Sequence, residues 1–122
     1  MKGPPIYLDR EKAEMLLAQF QETAAHRGWT LRAVSIMANH FHMVVQVEDD
    51  KDPRKLLADF KAYGSRVLNR KYGKPPSESW WTEKGSKRKL PDDRAIEAAI
   101  NYVLNKQPNP LVVWSSEQGR LV

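Results

Sequence analysis

Residues 39–47 read Asn-His-Phe-His-Met-Val-Val-Gln-Val, and this stretch decides how the rest of the chain is interpreted. Alternate side chains of a β-strand point to opposite faces of a sheet. His40 and His42 therefore share one face. The opposite face is uniformly apolar and consists of Phe41, Met43, Val45 and Val47. The pattern predicts a strand over residues 40–48 that packs its apolar face on helices and presents two imidazoles on the other face.

The segments around this strand predict a hairpin and three helices. Residues 30–37 are expected to form the partner strand, joined through a brief turn. The helices are expected at residues 9–27, 53–72 and about 92–106. Asp9 and Asp52 are placed to serve as N-caps of the first two, and Pro91-Asp92 opens the third. A short extended segment at 80–82 and an apolar segment at 111–114, a strand or a tail, complete the pattern. This order predicts an α+β fold with one small antiparallel sheet.

The composition fits one globular domain over residues 1–122, since domains usually contain about 100–200 residues. There are no cysteines, which excludes disulfides, a thiol nucleophile and a cysteine-ligated zinc site. No apolar run is long enough for a transmembrane helix and no apolar signal core follows the N-terminus, so a cytoplasmic protein without membrane contact is expected. The net charge of +5 favours a nucleic-acid partner or reflects solubility alone.

The histidine pair is the first candidate for chemistry. Two imidazoles at i and i+2 of a strand can both reach one metal ion, or they are ordinary solvent-facing histidines. Two of the three histidines of the chain lie on this one face, which favours the metal-ligand interpretation. A bound metal ion could act as a Lewis acid on a phosphate oxygen, and a basic chain makes a phosphodiester the natural substrate.

A nucleophile for such a substrate is sought among four tyrosines, Tyr7, Tyr63, Tyr72 and Tyr102. Tyr102 lies off the core stripe of the third helix, on a flank of small residues. There it either leans toward the strand that carries the histidines or packs at the edge of the helix–sheet interface. The residues alone favour the second alternative.

Four segments, taken in order, resemble the single-tyrosine transposases of the His-hydrophobe-His (HUH) superfamily, especially the REP-associated branch. Residues 38–45, Ala-Asn-His-Phe-His-Met-Val-Val, are similar to the HUH strand. Residues 60–65, Phe-Lys-Ala-Tyr-Gly-Ser, are similar to a helix of that family, and Trp80-Trp81 to its short tryptophan-containing strand. Residues 101–105, Asn-Tyr-Val-Leu-Asn, resemble the helix with the nucleophilic tyrosine. The resemblance covers about residues 30–110.

The resemblance implies a ferredoxin-like α+β fold, with helices packed on one face of an antiparallel sheet. The family normally has a strand before the first helix, for which only residues 6–8 are available here, so the first strand is expected to be short or missing. It implies that His40 and His42 bind Mg²⁺ or Mn²⁺ and that Tyr102 attacks single-stranded DNA. The products would be a 5′-phosphotyrosine and a free 3′-OH, which a second strand resolves. A homodimer and hairpin or single-stranded DNA are the expected partners.

The chain departs from the family pattern at the third metal ligand. The family usually carries Asn or Gln four residues after the tyrosine, and this position is Lys106. The neighbouring Asn105 and Gln107 are therefore the expected additional ligands. DNA contacts are expected from a basic run after a tryptophan, namely Trp81, Lys84, Lys87, Arg88 and Lys89; the alternative is a solvated loop beside core tryptophans.

Three functions remain open at this point. The first is a metal-dependent transposase or endonuclease with Tyr102 as nucleophile. The second is a decayed or domesticated relative that binds DNA hairpins without cutting them, which Lys106 favours. The third is a small nucleic-acid-binding module whose histidines contact phosphate without a metal. Divalent-ion binding separates the third from the first two, and strand cleavage separates the first from the second.

Overall fold

The structure, a computed structural model, describes residues 7–47, 52–73 and 92–121. Seven elements follow one another in this part of the chain: α1 (Arg10–Arg27), β1 (Thr30–Ile36), β2 (Phe41–Gln46), α2 (Pro53–Tyr72), α3 (Asp93–Asn105), β3 (Val112–Ser115) and β4 (Gly119–Arg120). The α+β class, the hairpin and the three helices are confirmed. The apolar segment near residue 112 is a strand, and the segment at 80–82 lies outside the described residues.

The helix starts follow from three aspartates that act as N-caps. The carboxylate of Asp9 accepts the backbone N–H of Lys12 at 2.9 Å and opens α1. Asp52 and Asp92 open α2 and α3 in the same way. Such a side chain satisfies one of the backbone donors that a helix leaves unpaired at its first turn. Helix α1 ends at Gly28, whose φ of 76° is a left-handed conformation that glycine adopts without strain.

The sheet is antiparallel, with the strand order β2-β1-β3-β4. In the hairpin Ser35 pairs with His42, and on its other side β1 pairs with β3, where Ser35 is opposite Val113. Residues 7–9, the described residues before α1, form no strand. The expectation of a short or missing first strand stays a prediction, because residues 1–6 lie outside the described part of the chain. The C-terminal strand β3 instead lies beside β1.

Helices cover both faces of the sheet, which corrects the expectation of helices on one face. Helices α1 and α2 pack on one face through a large core that includes Phe20, Phe41 and Phe60. Helix α3 packs on the other face, where Val103 is buried against Ala33 and Val44. The reason is that alternate positions of β1 and β2 also carry apolar side chains on the histidine face, and the apolar stripe of α3 covers them.

Candidate active site

The two histidines lie side by side at the start of β2. Their ring centroids are 5.3 Å apart and the ring planes are nearly perpendicular, at 88°. Both residues are half-buried. His40 immediately precedes the strand, and its carbonyl accepts the backbone N–H of Met37 at 2.8 Å, which closes the turn of the hairpin. The hairpin register therefore fixes the backbone from which both imidazoles project.

Tyr102 is the tyrosine that the fold brings to this pair. Its ring centroid is 6.2 Å from that of His42, with the ring planes at 86°. It is 54% exposed, so a large ligand can reach the phenol. The next residue, Val103, is buried against the sheet and anchors this turn of α3. Of the two orientations that the sequence left open, the structure therefore has Tyr102 beside the histidine strand of its own chain.

The residues that follow Tyr102 form the C-terminal turn of α3. The backbone N–H of Lys106 donates to the Tyr102 carbonyl at 3.1 Å, and the side-chain amide of Gln107 donates to the same carbonyl at 3.3 Å. The amide of Asn105, an exposed residue, donates to Asn101 one turn earlier, at 2.8 Å. Two side-chain amides therefore lie near the end of the helix, and the hydrogen bonds described for them go to residues of α3.

The histidine pair fits a divalent ion in geometry. An imidazole nitrogen binds such an ion at about 2.1 Å, so two rings on one ion have centroids within about 6.5 Å of each other. The observed 5.3 Å satisfies this limit. Within residues 7–47, 52–73 and 92–121 no group of three or more His, Asp or Glu side chains could hold a metal. A divalent ion bound here would have two imidazole nitrogens from the described residues, so further oxygen donors would have to complete its coordination.

Arg32 contacts the helix that carries Tyr102, and the sequence analysis did not identify it. It lies at an irregularity of β1, where the register shifts between Leu31 and Ala33. Its guanidinium donates a hydrogen bond to Gln46 of β2 and lies 3.8 Å from Glu97 of α3 and 3.4 Å from Glu117. One cation thus connects both strands of the hairpin with the helix that carries Tyr102. A lone arginine in a strand gives no sequence signal of such a role.

The expected DNA-contact residues lie outside the described part of the chain. These are Trp81, Lys84, Lys87, Arg88 and Lys89. Their role stays a prediction. In the described segments, none of the helices has both the length and the apolar character needed to cross a bilayer.

One comparison with known proteins agrees with the motif analysis. No curated protein and no solved structure matches the chain. A family model described as "Transposase IS200 like" matches residues 6–105, which include the histidine pair and Tyr102. The match spans most of the chain and confirms the resemblance to single-tyrosine transposases, without distinguishing the REP-associated branch. The chain therefore belongs to the family of IS200-like transposases.

Proposed function

We propose that this chain cuts and rejoins single-stranded DNA through a covalent bond between the DNA and Tyr102. The observation that carries the proposal is the approach of the exposed Tyr102 ring to His42, at 6.2 Å between centroids, with His40 a further 5.3 Å away. Membership of a transposase family supplies the substrate class, DNA, and the general reaction, strand cleavage and transfer. The net charge of +5 favours a polyanionic substrate.

The chemistry follows from the arrangement of these three side chains. The phenol oxygen of Tyr102 attacks the scissile phosphorus, and the bond to the 3′ oxygen of the DNA breaks. The phenol loses its proton and the departing oxygen gains one, so the step is balanced without ATP. The energy of the phosphodiester is retained in the phosphotyrosine, and a 3′-OH of a second strand reverses the step.

The histidines contribute by binding and orienting the phosphate. An Mg²⁺ or Mn²⁺ ion held by His40 and His42, with Asn105 or Gln107 as candidate further ligands, would act as a Lewis acid on a phosphate oxygen. The T-shaped contact of Tyr102 with His42 would keep the tyrosine ring beside the histidine that holds the ion. Both groups belong to one chain, and in this proposal Tyr102 acts with the histidine pair of its own subunit.

A homodimer remains part of the proposal. Strand β2 lies at the end of the strand order, so it is an edge strand of the described sheet. Edge strands readily pair with a second copy of a chain. Light scattering of the purified protein measures the mass directly, and a monomer at all concentrations would contradict this part of the proposal. The expected cytoplasmic location likewise stays a prediction.

The test is a cleavage assay on labelled single-stranded hairpin DNA with Mn²⁺ or Mg²⁺. The wild type should form a protein–DNA adduct that survives denaturant, and Tyr102→Phe should form none. Tyr7→Phe is the matched control because Tyr7 is 60% exposed, close to the 54% of Tyr102, so it controls for mere exposure of a phenol. An adduct that persists in Tyr102→Phe would contradict the nucleophile.

The alternative function, DNA-hairpin binding without cleavage, is favoured by one observation. Lys106 caps α3 one turn after Tyr102, where the family usually has an amide ligand. If the wild type binds hairpin DNA and forms no adduct with either ion, this alternative replaces the enzyme. The third possibility, a nucleic-acid-binding module whose histidines contact phosphate without a metal, gains no support from the family match, which is to a transposase.

A further inference from the structure

The side chain of Asn39 contacts the ring of its neighbour His40. The side-chain oxygen Oδ1 of Asn39 lies 2.6 Å from Nδ1 of the His40 ring, and both residues are half-buried. Asn39 is in the turn between β1 and β2. The backbone is fixed on both sides of it, since the Ala38 carbonyl accepts the N–H of Leu8 at 2.6 Å and the His40 carbonyl accepts that of Met37 at 2.8 Å.

This contact determines which ring nitrogen carries the proton. With the Asn39 oxygen facing the ring, Nδ1 of His40 is the donor, because an amide oxygen only accepts hydrogen bonds; the neutral ring then carries its lone pair on Nε2. Metal-binding histidines commonly use one ring nitrogen as ligand and donate the other N–H to such a partner, which fixes the tautomer and the ring orientation.

We propose that Asn39 is a positioning residue that holds His40 as the Nδ1–H tautomer and assigns Nε2 as its ligand atom. The part that concerns the metal rests on the proposed function, whereas the tautomer does not. In water a neutral histidine side chain favours the opposite tautomer, with the proton on Nε2. Asn39 therefore reverses the intrinsic tautomer preference of the His40 ring. The lone pair is on Nε2 before an ion binds.

The first test reads the tautomer in the metal-free protein by long-range ¹H–¹⁵N NMR, at about pH 8.5 where imidazoles are neutral. His40 should give the Nδ1–H pattern. His26, which is exposed near the end of α1, is the internal reference for the pattern of a solvated ring. Asn39→Ala should move the His40 pattern to that of His26, and Asn39→Asp, which keeps the acceptor, should not.

Two results would overturn the proposal. One is an Nε2–H pattern for His40 in the wild type, which would mean that the Asn39 amide is turned and donates to the ring. The other is a His40 pattern that is the same in Asn39→Ala as in the wild type. If Asn39→Ala does not fold, the wild-type spectrum and Asn39→Asp still decide the assignment.

The second test measures Mn²⁺ binding by electron paramagnetic resonance, without DNA or turnover. Asn39→Ala should weaken binding by about 10–100-fold, as is typical when the partner of a metal-binding histidine is removed, and Asn39→Asp should bind at least as well as the wild type. Equal affinity in Asn39→Ala would contradict the role toward the ion. No Mn²⁺ binding by the wild type would count against the proposed metal site and against the ligand assignment, while the NMR result would still judge the tautomer.

Discussion

The two faces of the sheet differ in what they are built from. On the face toward α1 and α2, Phe20 contacts Phe41 and Phe60, with ring centroids 4.8 and 5.7 Å apart, within a continuous apolar core. On the face toward α3 the apolar cluster is built on small buried residues, Ala33, Val44 and Val103. The first face contains the large hydrophobic core that stabilises the fold, and the second face contains the candidate site.

This difference shows how a small domain can carry a polar site without losing its core. Burial of large apolar side chains contributes most of the favourable free energy of folding, and the α1–α2 face supplies it. The α3 face can then hold half-buried imidazoles and Arg32 because little of the core depends on it. If the comparison is correct, substitutions on the two faces should separate stability from activity.

The largest effect on stability is expected from Phe20→Ala. Phe20 is fully buried and contacts two other phenylalanines, so its loss creates a cavity at the centre of the α1–α2 face. The free energy of unfolding should fall by about 3–5 kcal/mol, measured by urea denaturation. Phe20→Leu, which refills part of the cavity, should lose less. A loss below about 1 kcal/mol for Phe20→Ala would place the main core elsewhere.

A smaller effect on stability, but one on activity as well, is expected from Val103→Ala. Two buried methyl groups are removed between α3 and the sheet, which should cost about 1.5–3 kcal/mol. Adduct formation should also fall, because the turn that carries Tyr102 is no longer held firmly. Leu17→Ala, buried on α1, is the matched control: it should destabilise without slowing adduct formation while the protein is folded. If adduct formation slows equally in Val103→Ala and Leu17→Ala, the two faces of the sheet do not separate stability from activity.

A pH-dependent effect is expected from Asp9→Ala, at a helix end of the stable face. The backbone N–H of Lys12 lowers the pKa of the Asp9 carboxyl, so the cap stabilises the fold above the ordinary carboxyl pKa and is lost as the pH falls through the lowered value. At neutral pH the substitution should cost about 0.5–2 kcal/mol. The difference from the wild type should shrink in acid. Asp9→Asn, an uncharged cap, should keep its stability in acid better than the wild type, and parallel pH profiles would contradict the assignment.

The smallest effect on stability is expected from Lys106→Asn, on the site face. Lys106 is exposed at the end of α3, so the free energy of unfolding should change by less than about 0.5 kcal/mol. Mn²⁺ should bind more tightly, because a cation one turn after Tyr102 is replaced by an amide oxygen donor. Lys55→Asn on α2 controls for the change in net charge. An unchanged Mn²⁺ affinity would show that the side chain of residue 106 does not reach the ion.

Local signals in the sequence predicted most of the elements. Asp9, Asp52 and Asp92 mark helix starts because capping depends on neighbouring backbone groups only. The alternation after Asn39 identified the histidine face for the same reason. The position of α3 across the sheet was not predicted, since an apolar stripe does not tell which face of a sheet it covers. The direction of Tyr102 depends on that docking, so it needed the structure.

Contacts between residues that are distant in the chain could not be predicted from the sequence. The sequence of residues 112–115 does not indicate that they pair with β1, because their partner is distant in the chain. The irregularity of β1 at Arg32 was equally hidden, although it brings the guanidinium to Gln46 and toward two glutamates. The role of Asn39 could be suspected only once its oxygen was seen beside Nδ1 of His40.

The pairing of β3 with β1 has a consequence for how the chain is made. During synthesis, the hairpin β1–β2 and the helices emerge before the strand that lies on the other side of β1, which includes the buried Val112 and Val113. A nascent chain therefore exposes the open edge of β1 until residues 112–115 have left the ribosome, and open strand edges promote aggregation. The same holds for a truncated protein: a boundary placed at residue 105, where the family match ends, would remove the strand that lies beside β1.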